Sequence, residues 1–306
     1  MNIGFVISSV HKERRVSLLP ENISDDIKHS IYIEKGFGRT MGIEDQLYIE
    51  KGAIVLSKAE VYAKCEVIFT LKAPPKEDYI LFRKGQLLIG LLLPDTEGVE
   101  FYAGIAKEKD LRLLDLDLRV FQYGNRKQFI EEIPSDLLWK NSFNAGFSAV
   151  MHALMSFGYY PSSASKIAVL GNGNVAQGAY QALIKLGADV RMFYRKTLPA
   201  FYNEIDRFDM IVNGIALEWG AVPIISKEQQ KKIKKSCFVI DAAANVDRAI
   251  QGSRYTFLDN PIYEENGVYF YAVNNTPSVF YRNSSQAFGE AIANNILKLN
   301  FDRFFK

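Results

Sequence analysis

The sequence is poor in cysteine and has no long apolar run, and each shortage excludes a class of protein. Its 306 residues contain two cysteines, Cys65 and Cys237, each inside an apolar segment. This placement predicts buried thiols and argues against a disulfide framework or a zinc site. No apolar run approaches the ~20 residues that span a bilayer, and the first residues lack the basic region of a signal peptide. We therefore expect a cytoplasmic protein with no metal site and no membrane partner.

Charge is nearly balanced, and no block of one sign dominates any region. The formal net charge is +2, and the densest basic run, at 231–235, is typical of a solvated helix face. This balance argues against a nucleic-acid partner. Hydrophobic residues make up 48% of the chain and charged residues 24%, so a chain of this length predicts two globular domains with ordinary cores.

The chain does contain two series of alternating strands and helices. The first series starts at the N-terminus and includes a helix predicted at 20–29. A long helical stretch at 134–158 separates it from the second series, which begins at Lys166. Such alternation predicts an α/β fold of two Rossmann-like domains, with mainly parallel doubly wound sheets and a cleft between them.

The domain boundaries follow from the position of the long helical stretch. We predict a substrate domain formed by residues 1–128 together with 279–306, because the last helix is expected to return to the first domain. Residues 129–278 are predicted to form the cofactor domain. The part of the connecting helix at 144–158 is rich in small residues and leaves room for a homo-oligomer interface.

The segment KIAVLGNGNVAQGA carries the strongest functional signal. An apolar strand is followed by the pattern G-x-G-x-x-A and then by an amphipathic helix. The first glycine permits a tight turn, the second lets the backbone approach a pyrophosphate, and the alanine lets helix and strand pack closely. The N-terminus of the helix offers free N–H groups to phosphate, so the segment predicts a nicotinamide dinucleotide site. The candidate cofactor-binding residues of this turn are Gly171, Gly173, Asn174, Val175 and Ala176.

The end of the next strand distinguishes an NAD site from an NADP site. An NAD site usually places an acidic residue there, which binds the ribose 2′-hydroxyl. Tyr194 stands at that position, and Arg195 and Lys196 follow it. A missing carboxylate and two adjacent cations suit a 2′-phosphate. We therefore predict NADPH rather than NADH, although both cations are also compatible with an ordinary exposed turn.

Four segments resemble the alanine dehydrogenase and pyridine nucleotide transhydrogenase family, in the order found there. They are ERRVSLLPENI at 13–23, EKGFGRTMGIED at 34–45, LKAPPKEDY at 71–79 and NNTPSVFYRNSS at 274–285. Within that family, the short chain, the FYRNSSQA segment and the NADPH-like strand end resemble the branch that forms carboxyethylornithine. The resemblance implies that pyruvate is condensed with the side-chain amine of ornithine and that the imine is reduced with NADPH.

Two functional residues follow from the resemblance. The family's substrate-binding arginine matches Arg15, and a guanidinium suits the carboxylate of a 2-oxo acid. The family's lysine at the end of a buried strand matches Lys72, which could polarise a carbonyl oxygen or transfer a proton. The alternatives are a surface cation for Arg15 and a solvated loop residue for Lys72.

The sequence also departs from the family's alanine dehydrogenases at two positions. Their catalytic histidine corresponds to Leu93 or a neighbour, with Asp95 as a speculative substitute. Their second aspartate after a late strand corresponds to Asn245, four residues beyond Asp241, and Asp247 is expected on a different face. The three histidines that the chain has are His11, His29 and His152, the last predicted to lie in a core or an interface.

These departures leave three functions open. The first is reductive condensation of a 2-oxo acid with the amine of an amino acid such as ornithine or lysine, which needs less proton transfer than oxidative deamination because a protonated imine is already electrophilic. The second is an amino-acid dehydrogenase that uses ammonia. The third is a catalytically weak NADP-binding sensor. All three have small-molecule ligands.

Overall fold

The computed structural model describes residues 1–94 and 98–306, and these form two compact units. The first comprises Met1–Leu138 and Tyr281–Lys306, and the second comprises Trp139–Phe280. Both units are built around mainly parallel sheets, which confirms the predicted α/β class. Within the described ranges, no helix combines the length and apolarity needed to cross a bilayer.

The first unit contains a sheet with the order β3-β2-β1-β4-β5-β6-β7-β8. Strands β1 to β6 run parallel, and β7 and β8 extend the sheet as antiparallel neighbours. Four short helices lie between the strands. The strands are β1 Asn2–Phe5, β2 Ser30–Glu34, β3 Ile54–Leu56, β4 Val67–Lys72, β5 Leu87–Leu91, β6 Arg112–Asp115, β7 Val120–Tyr123 and β8 Arg126–Phe129, and the helices are α1 Asp45–Glu50, α2 Lys58–Lys64, α3 Val99–Ala103 and α4 Ile105–Glu108.

The second unit contains a sheet with the order β10-β9-β11-β12-β14-β13, in which β13 alone is antiparallel. Its elements are α5 Trp139–Phe157, β9 Lys166–Leu170, α6 Asn174–Lys185, β10 Asp189–Phe193, α7 Leu198–Asn203, β11 Met210–Asn213, α8 Lys227–Gln230, β12 Phe238–Asp241, β13 Ile262–Glu265 and β14 Val268–Tyr271. The last helix, α9 Tyr281–Ala291, lies in the first unit and continues as a π-helix over Ile292–Ile296.

Each sheet separates two hydrophobic cores, because alternate residues of a strand point to opposite faces. In β4, Val67 and Phe69 join one cluster and Ile68 joins the other. In β9, Ile167 and Ala168 are divided in the same way. Burial on both faces is what a doubly wound parallel sheet requires, so the two series of apolar strands account for both sheets.

The predicted domain boundary at residue 128 is wrong by the length of one short segment. Residues 129–138 lie in the first unit, because β8 pairs with β7 and because Ile130, Ile133 and Leu137 are buried in the first core. The second boundary also lies slightly later than predicted, since the first unit resumes at Tyr281.

The helix predicted at 20–29 is also wrong, because the chain forms only a 3₁₀ turn over Pro20–Asn22. The Asn22 side chain accepts a hydrogen bond from the backbone of Leu19, and the Ser24 hydroxyl donates to Asp26. Such local side-chain bonds compete with the helical pattern.

Glycines bring α5 and α6 into backbone contact. A Cβ atom on Gly146 would lie 1.9 Å from the carbonyl oxygen of Val175, and one on Gly178 would lie 1.9 Å from that of Phe143. The small residues of α5 therefore serve packing inside the second unit, where they fix the N-terminal end of α6.

Candidate active site

The segment that follows β1 holds a buried ion pair. Arg15 is only 7% exposed, and its guanidinium binds Glu13 through two parallel hydrogen bonds, Nε to Oε1 at 2.9 Å and Nη2 to Oε2 at 2.6 Å. Burial by itself would raise the pKa of Glu13, but the charge and hydrogen bonds of Arg15 and the charge of Lys72 together hold that pKa below its ordinary value. Glu13 is therefore ionised at neutral pH and fixes the orientation of Arg15.

Arg15 and Glu13 border a small cavity at the carboxyl edge of the first sheet. The cavity has a volume of about 140 Å³ and is also lined by Ser17, Phe37, Arg39 and Leu71. Its walls come from the chain after β1, from the turn after β2 and from β4. In a parallel sheet these strand ends meet at one edge, where ligands commonly bind. The volume and the buried cation suit a small carboxylate ligand.

Lys72 ends β4, and an irregularity in that strand sets its position. The pairing of β4 with β5 shifts register between Phe69 and Lys72, and the Thr70 hydroxyl donates to the carbonyl oxygen of Lys72 at 2.8 Å. The shift depends on Gly90 in β5, because a Cβ atom there would lie 2.1 Å from the Thr70 carbonyl oxygen. A bulge of this kind re-aims a side chain at a strand end.

Lys72 is buried and lies in an acidic neighbourhood. It is 7% exposed. Its charge contributes to the lowered pKa of Glu13, and it opposes the rise that desolvation causes in the pKa of Asp117. The structure therefore places Lys72 within the electrostatic reach of the Arg15–Glu13 pair, which is the grouping that the resemblance implied.

Helix α9 holds the Arg15 segment from the far end of the chain. The Ser285 hydroxyl accepts a 2.8 Å hydrogen bond from the backbone N–H of Val16, and the Arg14 guanidinium stacks 3.9 Å above the Tyr281 ring. Two of the four family-like segments, 13–23 and 274–285, thus meet in one place.

The resemblance places the family's catalytic histidine at Leu93 or a neighbour of it. Leu93 occupies the expected position, and the buried Asp115 carboxylate accepts the backbone N–H groups of Leu92 and Leu93 at 2.8 and 3.0 Å. Asp95 lies outside the described residues. His152 lies in the second unit, half-buried, with Nδ1 3.1 Å from the Tyr271 hydroxyl.

The glycine turn of the second unit has the geometry that a dinucleotide requires. Gly171 has a φ of +107° and donates its N–H to Phe193 at 2.7 Å, so the turn is anchored to the end of β10. A Cβ atom on Gly173 would meet nothing within 4 Å, which leaves open space in front of this backbone. Ala176 is fully buried, and a Cβ atom on Gly214 would lie 2.7 Å from it.

Helix α6 begins immediately after this turn. Asn174 and Val175 are its first residues, and Gly173 is its N-cap without a side-chain cap. The first N–H groups of a helix lack intrahelical partners, and together with the helix dipole they attract phosphate. The turn and the helix therefore fit a pyrophosphate.

Tyr194, Arg195 and Lys196 form an exposed turn beside Gly171. All three are exposed. The Thr197 hydroxyl accepts a hydrogen bond from the backbone N–H of Tyr194 at 2.9 Å and donates one to the Tyr194 carbonyl oxygen at 3.1 Å. This turn leaves both cations accessible to a ligand. The Thr197 hydroxyl is engaged within the turn itself.

A buried carboxylate lies at the same edge of the second sheet. Asp241 accepts hydrogen bonds from Asn213 Nδ2 at 2.9 Å and from the backbone of Asn245 at 3.0 Å. Burial raises the pKa of Asp241 to about 6. Asp247, with a φ of +55°, instead bonds the N–H of Gly252.

Sequence reasoning missed three of these residues. Glu13 precedes Arg15 by two positions, but nothing in the sequence indicates that it is buried. Gly90 and Gly214 were detectable in principle, since a glycine inside or directly after an apolar strand often marks a close backbone approach.

Comparisons with known proteins agree with the predicted resemblance. The model of the alanine dehydrogenase/PNT N-terminal domain matches residues 8–118, and that of the C-terminal domain matches residues 194–306. The N(5)-(carboxyethyl)ornithine synthase of Lactococcus lactis subsp. lactis (strain IL1403) is 43% identical over 305 residues, which cover 99% of this chain and 98% of that protein. The N(5)-(carboxyethyl)ornithine synthase of Clostridium botulinum (strain Hall) is 42% identical over 299 residues, which cover 97% and 94%. A solved L-alanine dehydrogenase has a similar fold, with a TM-score of 0.77 at 21% identity over 98% of this chain and 90% of that one.

Proposed function

Because this chain belongs to the alanine dehydrogenase/PNT family, we propose that it reduces the imine formed between pyruvate and the amine of an amino acid such as ornithine or lysine, with NADPH as the reductant. The chain is an NAD(P)-dependent oxidoreductase, as the family's proteins are. The observation that carries the choice of substrates is the identity of 42–43%, over nearly the whole chain, with two proteins named N(5)-(carboxyethyl)ornithine synthase.

The reaction has two stages. The amine nitrogen attacks the carbonyl carbon of the 2-oxo acid, the carbonyl oxygen leaves as water, and a carbon–nitrogen double bond remains. When bound, NADPH would supply a hydride to that carbon, the nitrogen would take up a proton, and the product would be an N-(carboxyethyl)amino acid. The protein has to hold the oxo acid, deliver a proton to the departing oxygen and exclude competing reactions.

Arg15 is proposed to hold the carboxylate of the oxo acid. Its buried guanidinium, oriented by Glu13, borders a cavity of about 140 Å³. A charge-assisted hydrogen bond to a carboxylate is strong where water is excluded. The cation is already paired with Glu13, so the free protein does not carry an uncompensated buried charge.

Lys72 is proposed to transfer the proton. It is buried at the end of β4, and its charge acts on Glu13, as that of Arg15 does. An ammonium group can polarise the carbonyl oxygen during amine attack and protonate that oxygen as it leaves. The position that holds histidine in alanine dehydrogenases is Leu93 here, which agrees with a reaction that needs no base to activate water.

The second unit is proposed to hold NADPH. The turn at Gly171 and Gly173 and the start of α6 fit the pyrophosphate, and Arg195 and Lys196 are exposed where a 2′-phosphate would lie. No acidic side chain stands at the end of β10 to repel that phosphate.

An assay of NADPH oxidation tests this proposal. The protein is incubated with pyruvate and each common amino acid in turn, and the product is identified by mass spectrometry. We expect turnover with ornithine or lysine and little with ammonium. Turnover with ammonium and pyruvate alone would identify an amino-acid dehydrogenase, and tight NADPH binding without turnover on any pair would contradict the enzymatic proposal.

A further inference from the structure

Two loops at the carboxyl edge of the second sheet are bound to each other. The loop after β11 contains Leu217, whose backbone N–H donates to Asn245 Oδ1 at 2.8 Å and whose carbonyl oxygen accepts from Arg248 Nη1 at 3.4 Å. Asn245 and Arg248 belong to the loop after β12. Ile215, two residues before Leu217, lies against Gly171, because a Cβ atom on that glycine would be 2.9 Å from Ile215 Cγ1. Arg248 is therefore at the same edge as the cofactor turn.

The guanidinium of Arg248 is poorly satisfied by the rest of the chain. It stacks 4.3 Å above the ring of Trp219, which is itself 65% exposed. Its Nη2 atom is buried and has no hydrogen-bond acceptor among residues 1–94 and 98–306. A guanidinium has five N–H donors, and the long bond to Leu217 uses one of them. A buried donor without an acceptor is costly, so an acceptor supplied by a ligand would be favourable.

The neighbouring carboxylates form hydrogen bonds with groups other than Arg248. Asp247 accepts the N–H of Gly252 at 2.7 Å, and Asp241 accepts hydrogen bonds from Asn213 and Asn245. In the part of the chain that the structure describes, no carboxylate forms a salt bridge with Arg248. No described carboxylate therefore neutralises its positive charge, and the position suits an anionic ligand.

We propose that Arg248, with the ring of Trp219 beside it, binds the α-carboxylate of the amino acid that supplies the amine. This inference rests on the proposed function, in which both substrates carry a carboxylate and Arg15 holds only that of the oxo acid. The planar fork of an arginine matches a carboxylate, and the indole face offers an apolar surface to the methylene chain of the substrate.

A phosphate of the cofactor is the other anion that could reach this edge. The start of α6 already fits the pyrophosphate, and Arg195 and Lys196 are available to a 2′-phosphate. The cofactor thus has its own partners, which leaves Arg248 available to the α-carboxylate of the amino acid.

The first test compares ornithine with butane-1,4-diamine, which is ornithine without its carboxylate. We expect the wild type to prefer ornithine in kcat/KM by about 10- to 100-fold, the range of a charge-assisted hydrogen bond. Arg248→Met should remove most of that preference by raising KM for ornithine, while KM for pyruvate and the affinity for NADPH stay unchanged. Arg248→Lys should restore part of it. Arg254→Met is the matched control, because Arg254 is exposed in the same unit and stacks 4.2 Å above Tyr263.

The outcomes distinguish three roles of Arg248: binding the α-carboxylate of the amino acid, binding a phosphate of the cofactor, and only supporting the local structure. Weaker binding of NADPH by Arg248→Met, with an unchanged preference for ornithine, would assign Arg248 to the cofactor and overturn the proposal. Equal behaviour of Arg248→Met and Arg254→Met would also overturn it, since Arg248 would then only support the Trp219 loop.

A second measurement does not depend on turnover. The chain has two tryptophans, so Trp139→Phe leaves Trp219 as the only indole fluorophore. We expect ornithine, added to this variant with NADP⁺ bound, to change the emission of Trp219, and butane-1,4-diamine to change it much less. A response to ornithine without any turnover would support this site and contradict the proposed reaction, whereas the absence of a response would overturn the site.

Discussion

The two units share a switch point in their strand order but carry different chemistry there. In each, the first strand lies between the second strand and a strand that comes later in the chain, as β1 lies between β2 and β4 and β9 lies between β10 and β11. The carboxyl ends at such a switch point form the usual ligand crevice. In the first unit this crevice contains the buried charges of Arg15, Glu13 and Lys72. In the second it contains the glycine turn and the start of α6.

Under the proposed function, one scaffold would bind anionic ligands in two ways. Side-chain charge recognises a small carboxylate, but it has to be buried and therefore paired. Backbone N–H groups recognise a diphosphate without any buried ion, but they require glycine where the ligand approaches. Substitutions in the first crevice should therefore act through charge, and those in the glycine turn of the second unit through the contacts of the cofactor.

Lys72→Met should give the largest effect on turnover. The substitution keeps the length of the side chain and removes the charge, and general acid–base groups contribute a factor of about 10² to 10⁴. We expect kcat to fall by about that factor with the affinity for NADPH nearly unchanged, because the cofactor is proposed to bind to the second unit. Steady-state kinetics and a fluorescence titration with NADPH measure the two quantities.

Lys76→Met is the matched control for this prediction. Lys76 follows Lys72 by four residues and forms an exposed ion pair with Glu100 at 2.6 Å, and such pairs contribute at most about 1 kcal/mol. If Lys72→Met retained full turnover, the assignment of proton transfer to Lys72 would be wrong.

Arg15→Met should destabilise the first unit as well as weaken binding of the oxo acid. It leaves Glu13 buried without its partner, and breaking a buried pair in this way costs about 3–5 kcal/mol. Urea unfolding should report this loss. The double variant Glu13→Gln, Arg15→Met removes both charges and should recover much of the stability while KM for pyruvate stays high. A single variant as stable as the wild type would contradict the buried pair.

Most of the fold was predictable from the sequence. Within the candidate site, only the cofactor side was predictable from local patterns. The strand, turn and helix at 166–185 were predictable because apolar periodicity and glycine spacing are local properties. The hairpin β7–β8 was not, since the residues Arg126–Phe129 are all exposed and show no apolar alternation. The domain boundary was therefore placed too early.

The substrate side of the site depends on contacts that sequence patterns do not contain. Arg15 and Lys72 were identified through the family resemblance and not from their neighbours in the chain. The burial of Glu13 follows from packing against strand ends, and the position of Lys72 follows from the bulge that Gly90 permits. Both are consequences of tertiary structure.

Asp241→Asn should change how stability depends on pH. The pKa of this carboxyl is about 6 in the folded protein, against an ordinary value of 3.8, so the folded state binds the proton more tightly than the unfolded state does. Its contribution to stability is therefore full below about pH 4, falls as the pH rises to about 6 and is constant above that. The difference in pKa corresponds to about 3 kcal/mol.

Unfolding of wild type and variant between pH 4 and 7 measures this contribution. Glu13 provides the contrast, because its pKa is lowered in the folded protein. Its contribution should be present above its ordinary pKa of 4.5 and be lost at lower pH. The difference in stability between wild type and Glu13→Gln should therefore grow as the pH rises, whereas that between wild type and Asp241→Asn should shrink. Parallel profiles for wild type and Asp241→Asn would contradict the raised pKa.

Arg195→Ala should have the smallest and most selective effect. Only NADPH carries the 2′-phosphate, and loss of one charge-assisted hydrogen bond costs about 1.5–3 kcal/mol. We therefore expect the dissociation constant of NADPH to rise by about 10- to 100-fold and that of NADH to change little, as measured by fluorescence titration. Arg191→Ala is the matched control, since Arg191 lies on β10 but is paired with Glu204 at 2.6 Å.

An equal loss of affinity for both cofactors would mean that Arg195 supports the turn and does not bind the 2′-phosphate. Tighter binding of NADH than of NADPH by the wild type would contradict the choice of cofactor itself.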